Sequence, residues 1–342
     1  MTLEEFLDTW HSPSETLLVH TSGSTGTPKP MLVEKRRMLN SAKITCDFLG
    51  LKPGDAALLC MSLDYIAGKM MVVRSLERGL KLISVKPSGH PLSAESLKNA
   101  NDAAWKQGIT FAAMVPMQVY NTLQVSEERE RLTHIKHLII GGGAIDSALE
   151  AELRSLSGDI AIWSTYGMTE TLSHIALRRI NGKEASEWYQ PFDSVKVSQT
   201  EEGCLVIDAP LVCKQPLVTN DIVEIQPYIY NKVCAEGVRF RIKGRKDNVI
   251  CSGGIKIQIE EVENLLKPHL QKPFMLAKKK DEKFGEIAVL LTEDGDLKKV
   301  EATVRRLLSD NSKKYWIPRE YIHVESLPLT ETGKPKRACL LR

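Results

Sequence analysis

The chain has 342 residues, 42% hydrophobic and 26% charged, with a formal net charge of +3. That length holds two or three domains with a sizeable core, and the composition excludes a disordered chain as the default. So small an excess of positive charge gives no electrostatic footprint for nucleic acid or an anionic membrane surface.

Residues 1–16 are short and polar, with Pro13 as punctuation. The apolar run Leu17-Leu18-Val19 predicts a buried strand leading into residues 21–29, Thr-Ser-Gly-Ser-Thr-Gly-Thr-Pro-Lys. A helix is expected over 31–48, closed by Gly50. A strand over 56–61, a helix from Tyr65 to Leu76 ended by Gly79 and a strand over 81–85 follow. Next come a helix over 94–107, a strand over 111–115, a helix opened by Pro116 and a strand over 135–140. Gly141 to Gly143 follow that strand at once, then a helix over 146–156 and a strand over 160–162. Alternating strands and helices predict crossover units, so an α/β fold with a mostly parallel sheet. In such sheets ligands bind beyond the carboxyl ends of the strands. The loops at 21–29, 141–144 and 165–170 are all expected at such ends.

From about residue 195 the texture changes to short strands separated by Gly, Asp and Pro, read as a small β subdomain over about 192–244. The charged turn Gly244-Arg245-Lys246-Asp247 precedes an α+β stretch with a strand over 255–259, a helix over 260–266 and strands over 274–278 and 286–292. An amphipathic helix there carries Leu297, Val300, Val304, Leu307 and Leu308 on one face. The expected domains are a large core over 1–244 and a smaller lid over 248–342, with a hinge near 245–248.

Seven cysteines, odd in number, widely spaced and without Cys-x-x-Cys, point to reduced, buried thiols and a cytoplasmic address. The first residues lack the apolar core of a signal peptide, and the longest apolar run, 56–61, is too short for a membrane span. His134 and His137 have no Cys or carboxylate partner nearby in sequence, so no structural zinc site is expected.

The 21–29 stretch packs hydroxyls, Gly23, Gly26 and Lys29 behind a strand. Glycines let backbone N–H groups approach an anion, hydroxyls add donors, and lysine adds a mobile charge. It predicts a phosphate-cradling loop without Walker A spacing; a flexible Ser/Gly linker is the bland alternative. In Tyr166-Gly167-Met168-Thr169-Glu170 the tyrosine offers a ring to a base, the threonine a hydroxyl to phosphate and the glutamate a hard oxygen to Mg²⁺. A strand-to-helix turn with Thr169 as cap explains the same letters. Thr219-Asn220-Asp221 is a turn on ordinary grounds, with Asn220 able to take a left-handed backbone. Lys334, in Thr330-Glu331-Thr332-Gly333-Lys334, is a solvated charge on the same grounds.

Together these motifs, in this order, resemble the adenylate-forming superfamily of acyl-CoA synthetases, peptide-synthetase adenylation domains and luciferases. The resemblance covers nearly the whole chain from residue 17. It implies that Thr21, Ser22, Gly23, Ser24, Thr25, Gly26 and Lys29 hold the ATP phosphates. It implies that Gly142, Gly143, Ala144, Thr165, Tyr166, Gly167 and Met168 hold AMP, that Thr169 touches the α-phosphate, and that Glu170 binds Mg²⁺. Asp221 and Arg245 are then ribose ligands, with Asn220 departing from the family's glycine. Asp247 is the pivot between two lid orientations, Gly253 and Gly254 let the pantetheine arm of coenzyme A pass, and Lys334 neutralises charge during adenylation. Relatives carry a further subdomain before the phosphate loop, expected here to be missing or a stub.

Within the superfamily, Thr169-Glu170-Thr171-Leu172-Ser173-His174-Ile175 is most similar to the branch that joins o-succinylbenzoate to coenzyme A in menaquinone synthesis. An acid with a second, aromatic carboxylate needs a cation or donors deep in the pocket. Arg74 and Ser173 are the candidates; the alternative for Arg74 is a helix-end cation near Glu77. The expected partners are a small carboxylate, ATP and CoA. The expected mechanism is acyl-adenylate formation followed by thioester formation. The rivals are a ligase for another acid or a carrier protein, and a non-catalytic nucleotide-binding relative.

Overall fold

The computed structural model describes residues 1–20, 30–101, 103–156, 159–230, 235–309, 313–329 and 337. Its largest sheet has the order Lys81–Ser84, Ala56–Leu59, Phe111–Met114, His137–Ile140, Ala161–Gly167, His174–Arg179, Gln190–Pro191. The first five of these strands run parallel, and the last two turn back antiparallel. Ala56–Leu59 and Phe111–Met114 are buried along their whole length, as strands covered on both faces must be. On one face Leu58, Met114, Leu138 and Ile162 pack with Leu97, Val119, Leu132 and Leu149. The mostly parallel α/β fold is therefore present, as expected.

The helices stop and start where local chemistry dictates. Gly50 and Gly79 end Lys35–Leu49 and Ile66–Arg78 at φ of 63° and 67°, a left-handed conformation that glycine adopts without a Cβ penalty. Pro116 opens Pro116–Leu123, where its missing N–H costs nothing. Asp146 caps Ser147–Ser155 by accepting from the Ala148 and Leu149 N–H groups.

Several expectations change. The helix expected over 31–48 begins only at Lys35, because Pro30–Glu34 is a strand paired antiparallel with Thr16–His20. Its alternation, with Val33 buried and Leu32 68% exposed, has a period of two that a helical reading of the neighbouring residues hides. Thr16–His20 is half-buried rather than buried, with Leu18 50% exposed. These two strands form their own sheet. Residues 21–29 thus connect two antiparallel strands and do not follow a strand of the parallel sheet. The 141–144 loop does follow a parallel strand, and 165–170 begins inside the last one, Ala161–Gly167, and runs past its end. The helix expected over 94–107 is two pieces, Ala94–Lys98 and the 3₁₀ turn Ala103–Gln107. The polar start contains a helix, Leu3–His11, with a Thr2/Glu5 capping box and a fully buried Phe6. Lys35 holds its end by donating to the carbonyls of Thr9, Trp10 and Ser12.

A four-stranded sheet follows in sequence order, Lys196–Gln199, Cys204–Asp208, Leu217–Tyr230 and Ala235–Arg245. The last sheet has the order Ile255–Gln258, Val249–Ser252, Gly285–Thr292, Phe274–Asp281, with Glu320–His323 parallel to Gly285–Thr292. The helices Ile259–Leu266 and Leu297–Leu307 bury Val262, Leu266, Val300 and Val304 against Leu276 and Leu290 of this sheet. Two compact units result. One comprises Met1–Val197, Ile207–Leu217 and Gln226–Phe240; the other comprises Ser198–Val206, Val218–Ile225 and Arg241–Arg342.

Candidate active site

In the first unit the 141–144 loop meets the end of the strand Ala161–Gly167. A Cβ on Gly141 would collide with the Thr165 hydroxyl, so only glycine lets these segments approach so closely. Gly142, at φ 82°, Gly143 and Ala144 are exposed beside them. Tyr166 is 7% exposed, and its ring packs edge-on against Phe240 at 5.1 Å and obliquely against Tyr189 at 5.9 Å. The Tyr189 hydroxyl lies 2.8 Å from Ser164 Oγ, and the Arg178 guanidinium lies over the Tyr189 ring. This aromatic cluster fixes Tyr166 at the end of its strand.

The chain does not enter a helix after Gly167. Thr169–Thr171 is a single 3₁₀ turn, and His174–Arg179 returns antiparallel beside Ala161–Gly167. A Cβ on Gly167 would strike the Ser173 carbonyl and lie 2.5 Å from His174 Cα. Thr171, not Thr169, fastens the turn: its hydroxyl accepts from the Met168 N–H at 2.9 Å and lies 2.7 Å from the Ser173 carbonyl. The capping explanation of Thr169 therefore fails. Thr169 is buried and Glu170 is exposed beside it. Leu172, the one described non-glycine residue with positive φ (63°), closes the turn, a strained position of the sort found at functional sites.

Arg74 and Ser173, 99 residues apart, are brought together: Arg74 Nη2 donates to Ser173 Oγ at 2.5 Å. Arg74 is 2% exposed inside Ile66–Arg78, not a helix-end cation on the surface. Burial pulls its guanidinium down to about 10, so it remains charged at neutral pH. Among the described residues it has no carboxylate partner; its Nη1 faces Met71 Sδ at 3.8 Å and its Nε is buried with no hydrogen-bond partner. A buried cation left in that state carries a large desolvation cost. The Cys46 thiol nearby supplies no counter-charge, since burial pushes it up to about 12. Ser173 continues to His174, whose Nδ1 is 3.2 Å from Ser173 Oγ and whose Nε2 is 3.0 Å from Thr45 Oγ1. Burial, then the Arg74 charge, holds His174 well below its ordinary value. Thr45 and His174 went unnoticed in the sequence. His174 adjoins Ser173, but nothing in a linear reading ties in Thr45, 129 residues away.

The second unit holds another cluster. Arg245 donates to Asp221 Oδ1 at 3.0 Å and to Asp247 Oδ2 at 2.7 Å. The ribose candidates and the hinge candidate are thus joined by one guanidinium. Asp221 lies within the strand Leu217–Tyr230, not in a turn, and Asn220 needs no left-handed backbone there. Gly253 and Gly254, at φ of 57° and 83°, form the two-residue turn between Val249–Ser252 and Ile255–Gln258. Positive φ at both positions is what a type I′ hairpin demands, so the pair has a folding reason of its own. Phe284 packs against Gly253. Thr21, Ser22, Gly23, Ser24, Thr25, Gly26, Lys29 and Lys334 lie outside the described residues.

Magnesium retains water and is bound through one or two carboxylates plus substrate phosphates. Glu170, exposed and in no ion pair among the described residues, fits that role. The described residues contain no cluster of three or more His, Cys, Asp or Glu suited to an all-protein metal site. No described helix is long and apolar enough to cross a membrane.

A family described as AMP-binding enzymes matches residues 8–208. A plipastatin synthase polypeptide of Bacillus subtilis is 25% identical over 94% of this chain, which spans 13% of that synthase. An acyl-CoA synthetase (AMP-forming)/AMP-acid ligase II-like protein from Dyadobacter fermentans has a similar structure, with a TM-score of 0.62 and 32% identity over 97% of this chain and 91% of that one. The o-succinylbenzoate coenzyme A synthetase of Bacillus subtilis, solved with ATP and magnesium ion, superposes with a TM-score of 0.71 at 21% identity, over 94% of this chain and 69% of that one.

Proposed function

The chain belongs to the AMP-binding enzyme family, and we propose that it is an AMP-forming acid–CoA ligase whose acid is o-succinylbenzoate. The observation that carries the choice of acid is Arg74: a buried, charged guanidinium with an unpartnered Nε and no carboxylate counter-ion among the described residues. A substrate with a second carboxylate supplies the missing anion, and a guanidinium is the side chain best suited to bind it. The motif from Thr169 to Ile175 and the likeness to an o-succinylbenzoate coenzyme A synthetase support the same acid.

In the first step the free carboxylate of the acid attacks the α-phosphorus of ATP, a P–O bond forms, and pyrophosphate leaves with the electrons of the bond that breaks. The 21–29 loop and Lys334 bear the phosphate charge, and Thr169 contacts the α-phosphate. Glu170 would hold Mg²⁺, which supplies neutralisation of phosphate charge when bound. Asp221 and Arg245 hold the ribose, and the 141–144 loop with Tyr166 walls the adenine. In the second step the CoA thiolate attacks the acyl carbon, a C–S bond forms, and AMP departs with the C–O bond electrons. The domain boundary at 245–248, with Asp247 as pivot and Gly253-Gly254 beside the pantetheine arm, belongs to this proposal.

ATP–pyrophosphate exchange across an acid panel tests it: o-succinylbenzoate is expected to support the fastest exchange. A second reading, loading of a carrier protein, is favoured by the likeness to the plipastatin synthase. Exchange with an amino acid, and none with o-succinylbenzoate, would select it.

A further inference from the structure

The buried hydrogen bonds around Arg74 form a chain closed at both ends. At one end is a guanidinium, which can only donate; at the other is the Ser41 carbonyl, which can only accept. Thr45 Oγ1 donates to that carbonyl at 3.1 Å. Thr45 Oγ1 then accepts from His174 Nε2, 3.0 Å away, so Nε2 carries a hydrogen. His174 is 8% exposed with Arg74 close by, an environment that favours the neutral ring. A neutral ring protonated at Nε2 accepts at Nδ1, and its partner there, at 3.2 Å, is the Ser173 hydroxyl. Ser173 therefore donates to His174 and offers its lone pairs to Arg74 Nη2 at 2.5 Å.

We infer that Thr45 and His174 are positioning residues for acid recognition: they take up the Ser173 proton and so fix the hydroxyl's lone pairs toward Arg74, which pins one edge of Arg74 and leaves its Nε edge free to bind the second carboxylate of the substrate. This rests on the proposed choice of acid. The opposite tautomer would turn the His174 Nδ1–H toward Ser173, so that His174 and Arg74 take both lone pairs of the serine hydroxyl and its proton loses its acceptor. A buried network tolerates such an unsatisfied donor poorly. Thr45 touches neither substrate nor Arg74 in this scheme; it acts through His174 and Ser173.

The test compares wild type, Thr45→Val and Thr45→Ser with two acids: o-succinylbenzoate, and 4-oxo-4-phenylbutanoate, which lacks only the ring carboxylate. The ratio of kcat/KM between the two acids is expected to fall about tenfold in Thr45→Val, through KM, and to be restored in Thr45→Ser. Nitrogen-15 NMR of the ligand-free protein is expected to find His174 neutral and protonated at Nε2 in wild type and Thr45→Ser. It is expected to shift toward the Nδ1–H form in Thr45→Val. A wild type active on o-succinylbenzoate, with an unchanged ratio in Thr45→Val, overturns the positioning role alone. A wild-type His174 protonated at Nδ1 overturns it without reference to any substrate. No turnover of o-succinylbenzoate by wild type overturns the choice of acid and this role with it.

Discussion

At the scale of single residues, the proposed acid site turns on Arg74. Its position among buried groups is costly for the fold and useful only if an anion arrives. Arg74→Met keeps a long apolar side chain and removes the charge. It is expected to lower kcat/KM for o-succinylbenzoate by about 100-fold, the loss of charge-assisted hydrogen bonds worth about 1.5–3 kcal/mol. Its Tm is expected to stay level or rise, because an uncompensated buried cation has gone; a fall of several degrees would mark Arg74 as a structural residue. That Arg74 and Ser173 belong together was legible only through family resemblance and the demand of a second carboxylate. Their contact is invisible to any local pattern, since 99 residues separate them. The Thr45–His174 extension was not legible at all, because a threonine inside an amphipathic helix carries no signal until its tertiary partner is known.

At the scale of elements, the returning strand after Tyr166-Gly167-Met168-Thr169-Glu170 is the unexpected feature. The letters suit a capped helix as well as a hairpin, and local propensity cannot separate them. What decides is packing: the backbone at Ser173 and His174 passes so close to Gly167 that no side chain fits. Gly167→Ala is therefore expected to destabilise the protein by about 3 kcal/mol, the upper range for overpacking against backbone. Urea unfolding measures this directly, and a cost below ~0.5 kcal/mol would contradict the close approach. The strand Pro30–Glu34 teaches a similar lesson. Its two-residue period is too short to stand out beside the long helix Lys35–Leu49, and only pairing with Thr16–His20 reveals it. By contrast, Gly50, Gly79, Pro116 and Asp146 mark helix ends whose chemistry is wholly local, and each was readable in advance or explained on sight.

At the scale of the whole molecule, two histidines make stability depend on pH. Burial first, then the charges of Lys136 and Arg179, pulls His137 down to about 4. His174 is held well below 6.5, by burial first and then by Arg74. The unfolded chain takes up these protons near pH 6.5, while the folded chain refuses them until far lower. Their contribution is thus fully present above pH 6.5 and is lost as pH falls from 6.5 toward 4. Urea midpoints are expected to drop across that window, and to drop less in His137→Phe; identical profiles would contradict the assignment. Function at this scale is expected to divide into two half-reactions. Lys334→Ala should cut ATP–pyrophosphate exchange by at least ~100-fold, the size of losing one preorganised charge contact, while sparing thioester formation from a supplied acyl adenylate. Equal loss of both would contradict a role confined to adenylation. The overall α/β plan was legible because strand–helix alternation is a repeated, redundant signal. The acid was less so, resting on few side chains. The measurement that bears on it most directly is CoA-dependent AMP formation with o-succinylbenzoate beside benzoate, succinate and a medium-chain fatty acid. Strong preference for o-succinylbenzoate is the predicted result; equal or greater turnover of another acid, or no AMP with any of them, would contradict it.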